Sequence, residues 1–297
     1  MSEFKHFPVM SKEATDALNC TDGKIYIDAT LGGGGYSALI LEKAGEKSRL
    51  LAFDVDDDAV SFAKEKLKNY KNLTIIKDSH VNIKNHLKEL NIEKISGGIV
   101  YDFGASFHQL TDDKRGFSFQ KDAFLDMRFD KDSDFSAYDV VNTYKEADFV
   151  RIFSEYGEER FSKRIARAIV EKRKKTKINT TFELVNIILE AAPRIKSKIH
   201  PATRVFQAIR IEVNHELENI KNSLENILPF LEEGAIISAV TFHSAEDRIV
   251  KNFFRNNSEK AGGKLKILTK KPICATAEEI KINPPSRSAK LRYAQVI

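Results

Sequence analysis

Four consecutive glycines, Gly32 to Gly35, follow the apolar run Ile25-Tyr26-Ile27-Asp28 and precede Tyr36 to Ala44, which carries Ala38, Leu39, Leu41 and Ala44 at helical spacing. The order predicts a buried strand, a turn without side chains and a helix start. A backbone lacking Cβ atoms adopts positive φ and approaches a ligand closely, with the helix N-terminus facing the guest. A nucleotide is the natural occupant, although such a turn also serves close packing of helix on strand.

The following residues repeat the pattern. Arg49 to Asp54 reads as a second strand ending in a carboxylate, and Asp56, Asp57 and Asp58 suit the cap and first turn of a helix running to about Leu67. Leu73 to Ile76 is a third strand, with Asp78-Ser79-His80 at its carboxyl end; Val81 to Leu90 is helical; Gly98 to Asp102 is a fourth strand. This alternation argues an α/β fold with a parallel, doubly wound sheet, in which ligands lie beyond the strands' carboxyl ends. In such folds an acid ending the second strand accepts hydrogen bonds from ribose hydroxyls, which singles out Asp54.

From Phe107 to about Thr203 the strand pattern stops. Helical segments near 147–156, 160–174 and 181–191 predict a helical insertion, with Thr180 and Thr181 ahead of Glu183 as an N-cap signal and Pro193 as a stop. A long helix from about Thr203 to Leu228 is expected to return the chain to a fifth strand, Gly234 to Phe242, followed by a cap at Ser244 with Asp247. Two further strands, 264–270 and 290–296, flank a short helix opened by Thr276-Ala277-Glu278-Glu279. The expected domains are 1–106 with 204–297, and 107–203.

At 297 residues the chain can bury a sizeable core, and no apolar run approaches the ~20 residues that span a bilayer. The N-terminal residues mix charge into apolar positions, so a cytoplasmic protein without a membrane partner is expected. Cys20 and Cys274 are the only cysteines, too few for a zinc site, and both are expected to be reduced. Net charge is +5, yet residues 151–204 hold fourteen Lys and Arg against six Glu and no Asp, leaving about −3 for the remainder. A local excess of that kind suits a nucleic-acid partner as well as a solvated helical face.

Two nucleotide-binding chemistries compete. An NAD-dependent oxidoreductase wants G-x-G-x-x-G/A, with amides presented to a pyrophosphate. Here Tyr36 and Ser37 follow an unbroken glycine block. A methyl donor carries no phosphate, so the loop need only admit its amino-acid end while an acid holds the ribose. The separate basic segment also suits a polyanionic acceptor. A non-catalytic RNA-binding protein would share these features.

Taken together, DATLGGGGYS, DFGASFHQL, RGFSF, LDMRFD, EYGEERFSKRIARAI, HPATRVFQAIRIEVNHEL, FHSAEDRIVKNFF and NPPSRSAKLR resemble the bacterial 16S (small-subunit) ribosomal RNA cytosine-N4 methyltransferase family, from His6 to Arg292. The resemblance implies a class I, Rossmann-like S-adenosylmethionine-dependent methyltransferase sheet with an inserted helical RNA-substrate domain. It implies methylation of a cytidine exocyclic amine, with small-subunit ribosomal RNA or an assembling small subunit as partner. Carried over, the S-adenosylmethionine site falls on Gly34, Gly35, Tyr36, Asp54, His80, Asp102 and Gln109. The family usually has His where Tyr36 stands, an aromatic where His80 stands, Pro for His108, Leu for Ala245 and Arg for Pro285, which leaves room for a diverged paralogue methylating another RNA.

The cytosine amine is a poor nucleophile because its lone pair is delocalised, so an acceptor that localises it and takes up the developing charge is needed. Asp102 and Asp126 are the candidates, each with a plainer alternative: donor ligand for Asp102, partner of Arg128 for Asp126. His243 can face the acceptor or cap a turn. Asn283-Pro284-Pro285-Ser286 resembles an amine-holding [DN]PP[YF] signature but lies far from the fourth strand and ends in Ser, so a loop is expected. Arg173, Lys174 and Lys175 are the candidate RNA-phosphate ligands.

Overall fold

A computed structural model describes residues 8–192 and 200–297; His6 and the stop signal at Pro193 lie outside them. The chain divides into two compact units, 1–104 with 217–297, and 105–216.

The sheet unit begins with α1 (Ser11–Asp16), β1 (Ile25–Asp28), α2 (Gly35–Ala44), β2 (Arg49–Asp54), α3 (Asp57–Lys66), β3 (Leu73–Lys77), α4 (Ile83–Glu89) and β4 (Gly98–Asp102). Neighbouring strands β3-β2-β1-β4 all run parallel. Asp56 caps α3 by accepting from the Asp58 amide at 3.1 Å, as the three-acid run predicted.

The second unit holds α5 (Phe107–Thr111), α6 (Ala137–Thr143), α7 (Glu146–Glu155), α8 (Ser162–Arg173), α9 (Thr181–Ala191) and α10 (Ala202–Val213). It has its own core, in which Phe149, Phe153, Ile165, Leu184, Ile188 and Ile209 are fully covered or nearly so. Thr180 caps α9, as the N-cap signal predicted, and Glu183 completes a capping box with it.

The sheet unit then resumes with most of α11 (Glu216–Ile227), β5 (Ile236–Thr241), α12 (Ser244–Asn256), β6 (Leu265–Ile267), β7 (Ile273–Cys274), α13 (Ala277–Ile282) and β8 (Lys290–Val296). Strand β5 extends the parallel set beside β4, and β8 is antiparallel between β5 and β6. Both faces are covered, which is why the central strands read as unbroken apolar runs. Ile27, Leu51, Ile99 and Ile237 pack with Leu224 and Val250, while Tyr26, Leu50, Val100 and Val240 pack with Ala14 and Ile40. Ser238, the polar interruption in β5, donates to the Ala14 carbonyl at 3.0 Å.

The structure corrects several boundaries. The expected helix from Thr203 to Leu228 is two helices, because His215 takes φ 50° and Asn214 turns inward. The Asn214 side chain bridges the Met127 carbonyl at 2.7 Å and the Phe129 amide at 2.7 Å. Helix α10 is thereby part of the second unit's core, which reaches Glu216 rather than 203. Helix α12 is capped by His243, not Ser244, since Asp247 is drawn to Arg292 at 2.7 Å. The two-residue β7 had no sequence signal. Among the described residues, no helix is long and apolar enough to cross a membrane.

Candidate functional site

The glycine loop is shaped by two close approaches that forbid side chains. Gly34 sits at φ 70°, and a Cβ there would stand 2.9 Å from Leu67 Cδ1; one on Gly35 would stand 2.5 Å from Pro8 Cγ. The loop is then tied to the end of β2. The Leu31 amide donates to the Phe53 carbonyl at 2.8 Å, the Gly32 amide to Asp54 Oδ2 at 2.8 Å, and the Asp56 amide to Asp54 Oδ1 at 2.9 Å. Lys66 donates to the Gly33 carbonyl at 2.8 Å from the other side. Burial raises the Asp54 carboxyl to about 6 against these two favourable amides.

A second acid was missed by sequence reasoning. Asp28, the last residue of β1, is fully buried and accepts from Ser37 Oγ at 2.7 Å and the Thr30 amide at 3.2 Å. Its pKa also rises to about 6, because burial outweighs those bonds. The signal was available: a carboxylate inside an apolar strand, nine residues before a serine in the following helix.

Asp102 ends β4, and its own amide donates to Thr30 Oγ1 at 2.7 Å. Its Oδ1 is buried without a hydrogen-bond partner. Burial, then the neighbouring Asp28 and Glu246 charges, hold its pKa well above the carboxylate range.

Tyr36 is not a free donor-group ligand. It is 2% exposed, and its hydroxyl donates to the Val9 carbonyl, fastening residues 8–10 over the loop. Glu279, expected to complete the Thr276 capping box, instead accepts from the Met10 amide at 2.6 Å, while Thr276 still caps α13.

His80 opens the turn after β3. Its ring lies edge-on to Tyr101 and tilted to Phe103, both centroids 5.9 Å away. Burial alone lowers its pKa to about 4, so the ring is neutral, and Nδ1 has no partner. Asp78 is occupied elsewhere, bonded to His86 at 2.7 Å and to Asn82 at 2.8 Å. Gly34, Gly35, Tyr36, Asp54, His80 and Asp102 thus all lie at the carboxyl ends of β1 to β4.

The remaining candidates belong to the second unit, where several have structural duties. The Gln109 side-chain carbonyl accepts from the Ser106 amide at 2.9 Å, completing the cap of α5. Asp126 accepts from the Arg128 guanidinium at 2.6 and 3.1 Å and from the Arg128 amide at 3.2 Å, the plainer of its two expected roles. Arg173 donates to the Val141 and Tyr144 carbonyls, lies 5.6 Å from the Phe149 ring centre, and has its pKa lowered by burial. It braces the unit rather than facing a phosphate. Lys174 pairs with Glu171 at 2.6 Å, and Lys175 is exposed.

His243 accepts from the Glu246 amide at 3.4 Å, and its Nε2 lies 3.1 Å from the fully buried Glu246 carboxylate, so it is a cap. Asn283 to Ser286 enters a short 3-10 turn, in keeping with the expected loop. Cys20 and Cys274 are both free thiols.

The sequence profile of the MraW methylase family matches residues 3–297. The chain is 49% identical over 99% of its length to the whole of "Ribosomal RNA small subunit methyltransferase H" from Caldicellulosiruptor bescii. Proteins of the same name from Clostridium botulinum and a Sulfurihydrogenibium species are 47% and 48% identical, each over 99% of this chain and 100% and 99% of their own lengths.

Proposed function

Because this chain belongs to the MraW methylase family, we propose that it transfers a methyl group from S-adenosylmethionine to the N4 amine of a cytidine in small-subunit ribosomal RNA. The observation that carries the donor half is the set of acids at the strand ends. Asp28, Asp54 and Asp102 are all held above the ordinary carboxylate range by burial, and one oxygen of Asp102 lacks a partner. Such a pocket fits a cationic ligand, whose charge offsets the cost of ionising them. When bound, S-adenosylmethionine supplies an electrophilic methyl on positively charged sulfur.

The residues divide the work. Gly34 and Gly35 admit the ligand's amino-acid end, and Asp54 accepts from the ribose while Gly32 and Asp56 hold its carboxylate in place. Neutral His80 offers a flat ring and an open Nδ1 to the adenine. Asp102, once ionised, accepts a proton-bearing N–H from the cytosine amine and localises its lone pair. Asp126 has no such role in this reading, since Arg128 occupies it.

The acceptor half rests on the names of the relatives and on the basic second unit. A cytosine whose amine must meet the donor methyl is unpaired or flipped from its stack. The test is incubation of the protein with labelled donor and unmodified small subunits, followed by nucleoside analysis. N4-methylcytidine is expected; label on ribose, a ring carbon or protein would overturn the acceptor assignment.

A further inference from the structure

Positive charge is not confined to residues 151–204, as expected from the sequence. The remainder averages over a second run: from 248 to 271 there are eight Lys and Arg against one Glu. Every one of those cations is exposed, and all belong to the sheet unit. We propose that this outer edge of the sheet unit is an RNA-phosphate surface in its own right, additional to the helical unit; the proposal rests on the RNA-acceptor reading above.

Local structure explains how the cations come to be displayed. On α12, Val250, Phe253 and Phe254 are buried against the sheet, leaving Arg248, Lys251 and Arg255, spaced by three and four residues, on the outer side. In the outermost strand β6, Leu265 is buried while its neighbours Lys264 and Lys266 are exposed, the alternation a pleat imposes. Lys270 and Lys271 follow in the turn before β7. The cations therefore lie beside β6, in the segment that follows it, and on the outer side of α12, the helix that packs against β6.

Their surroundings separate this run from the first. In the second unit Arg151 is paired with Glu212 at 2.8 Å, Lys174 with Glu171 at 2.6 Å, and the half-buried Arg173 is bonded to backbone carbonyls. Lys251, Arg255, Lys264, Lys266, Lys270 and Lys271 enter no ion pair with any described residue. Unneutralised like charges on neighbouring elements repel one another, and a polyanion relieves that repulsion with release of its own counterions. Lysines on an edge strand also deter strand addition, but that leaves the α12 cations unexplained.

The experiment measures binding of full-length protein to transcribed small-subunit ribosomal RNA across a salt series. Two variants are compared with the parent: K264Q/K266Q/K270Q/K271Q and K251Q/R255Q. Each should flatten the slope of log affinity against log salt by about 0.7–0.9 for every phosphate the variant no longer neutralises, with calorimetric affinity for S-adenosylmethionine unchanged. Replacing the same lysines by arginine should keep the parental slope. Parental slopes in both glutamine variants would overturn the proposal while leaving RNA binding by the helical unit intact, and aggregation with an unchanged slope in the dispersed fraction would reduce these lysines to edge guards. Absence of salt-dependent RNA binding by the parent would overturn this proposal and the acceptor reading together, whereas N4-methylcytidine in the nucleoside assay with unchanged slopes would overturn this one alone.

Discussion

The Gly32 amide and the Asp54 carboxylate are joined at 2.8 Å, so the glycine loop and the acid ending β2 form one piece. Removing the carboxylate therefore does two things, releasing the loop and taking away the proposed ribose acceptor. Asp54→Ala should weaken S-adenosylmethionine by about 1.5–3 kcal/mol in calorimetry. Asp54→Asn keeps one oxygen for Gly32 and separates the two effects: most of the loss should remain if the ribose bond dominates. Unchanged affinity in a folded Asp54→Ala protein would remove the residue from the site.

Asp28 makes a prediction about pH. Its folded pKa, about 6, lies above the ordinary value of 3.8, so the folded state binds the proton more tightly than the unfolded state. Its contribution is most favourable below pH 4 and is lost as pH rises to 6, amounting to about 3 kcal/mol. Urea unfolding at pH 4.5 and pH 7 should show parent stability falling relative to Asp28→Asn over that interval. Parallel pH profiles for the two proteins would show that Asp28 ionises as easily folded as unfolded.

For Asp102 the expectation is a split between binding and turnover. Asp102→Asn preserves shape and the amide bond to Thr30 but cannot become a carboxylate. Turnover should fall by about 10²–10⁴-fold, the usual range for a lost acid–base group, with donor affinity changed far less. Equal loss of donor binding would make its role positional.

Arg173 and its two lysine neighbours should behave oppositely. Arg173→Ala leaves two carbonyls without their donor and removes the cation from the Phe149 face, a loss of about 2–4 kcal/mol in unfolding experiments. Lys174→Gln with Lys175→Gln should leave stability within about 0.5 kcal/mol, because both side chains are largely in solvent. Those two changes should instead flatten the salt dependence of RNA binding. The reverse pattern would place Arg173 at the RNA.

The parallel strands were legible because the central ones, β1, β2, β4 and β5, are buried on both faces, and because chemically distinctive residues stand where the apolar runs stop: Asp54, His80 and Asp102. The helical insertion was legible by the loss of that rhythm after Phe107. What eluded the sequence was competition between near-equivalent partners. Asp247 looked like the second half of a cap until Arg292, forty-five residues later, claimed it. Glu279 left its capping box for the Met10 amide in the same way. Arg173 looked like its lysine neighbours because sequence shows charge but not which guanidinium lies over a ring. Asp28 was passed over as part of a strand, although its burial makes it one of the most perturbed acids at the site.

The position of β8 sets the order in which a ribosome can deliver a finished sheet. This strand is the last in chain order, yet it lies between β5 and β6, and among the described residues β6 pairs with no other strand. Until residues 290–296 leave the exit tunnel, the edge of β5 stays open and β6 has only the single bridge of Leu265 to Ser258. A nascent chain therefore waits with an unpaired edge while more than forty residues are translated after β5, an interval of a few seconds at ~5–20 residues per second. During that interval it is a client for chaperones that shield strand edges, and stalled translation short of β8 would release a chain prone to edge-to-edge association.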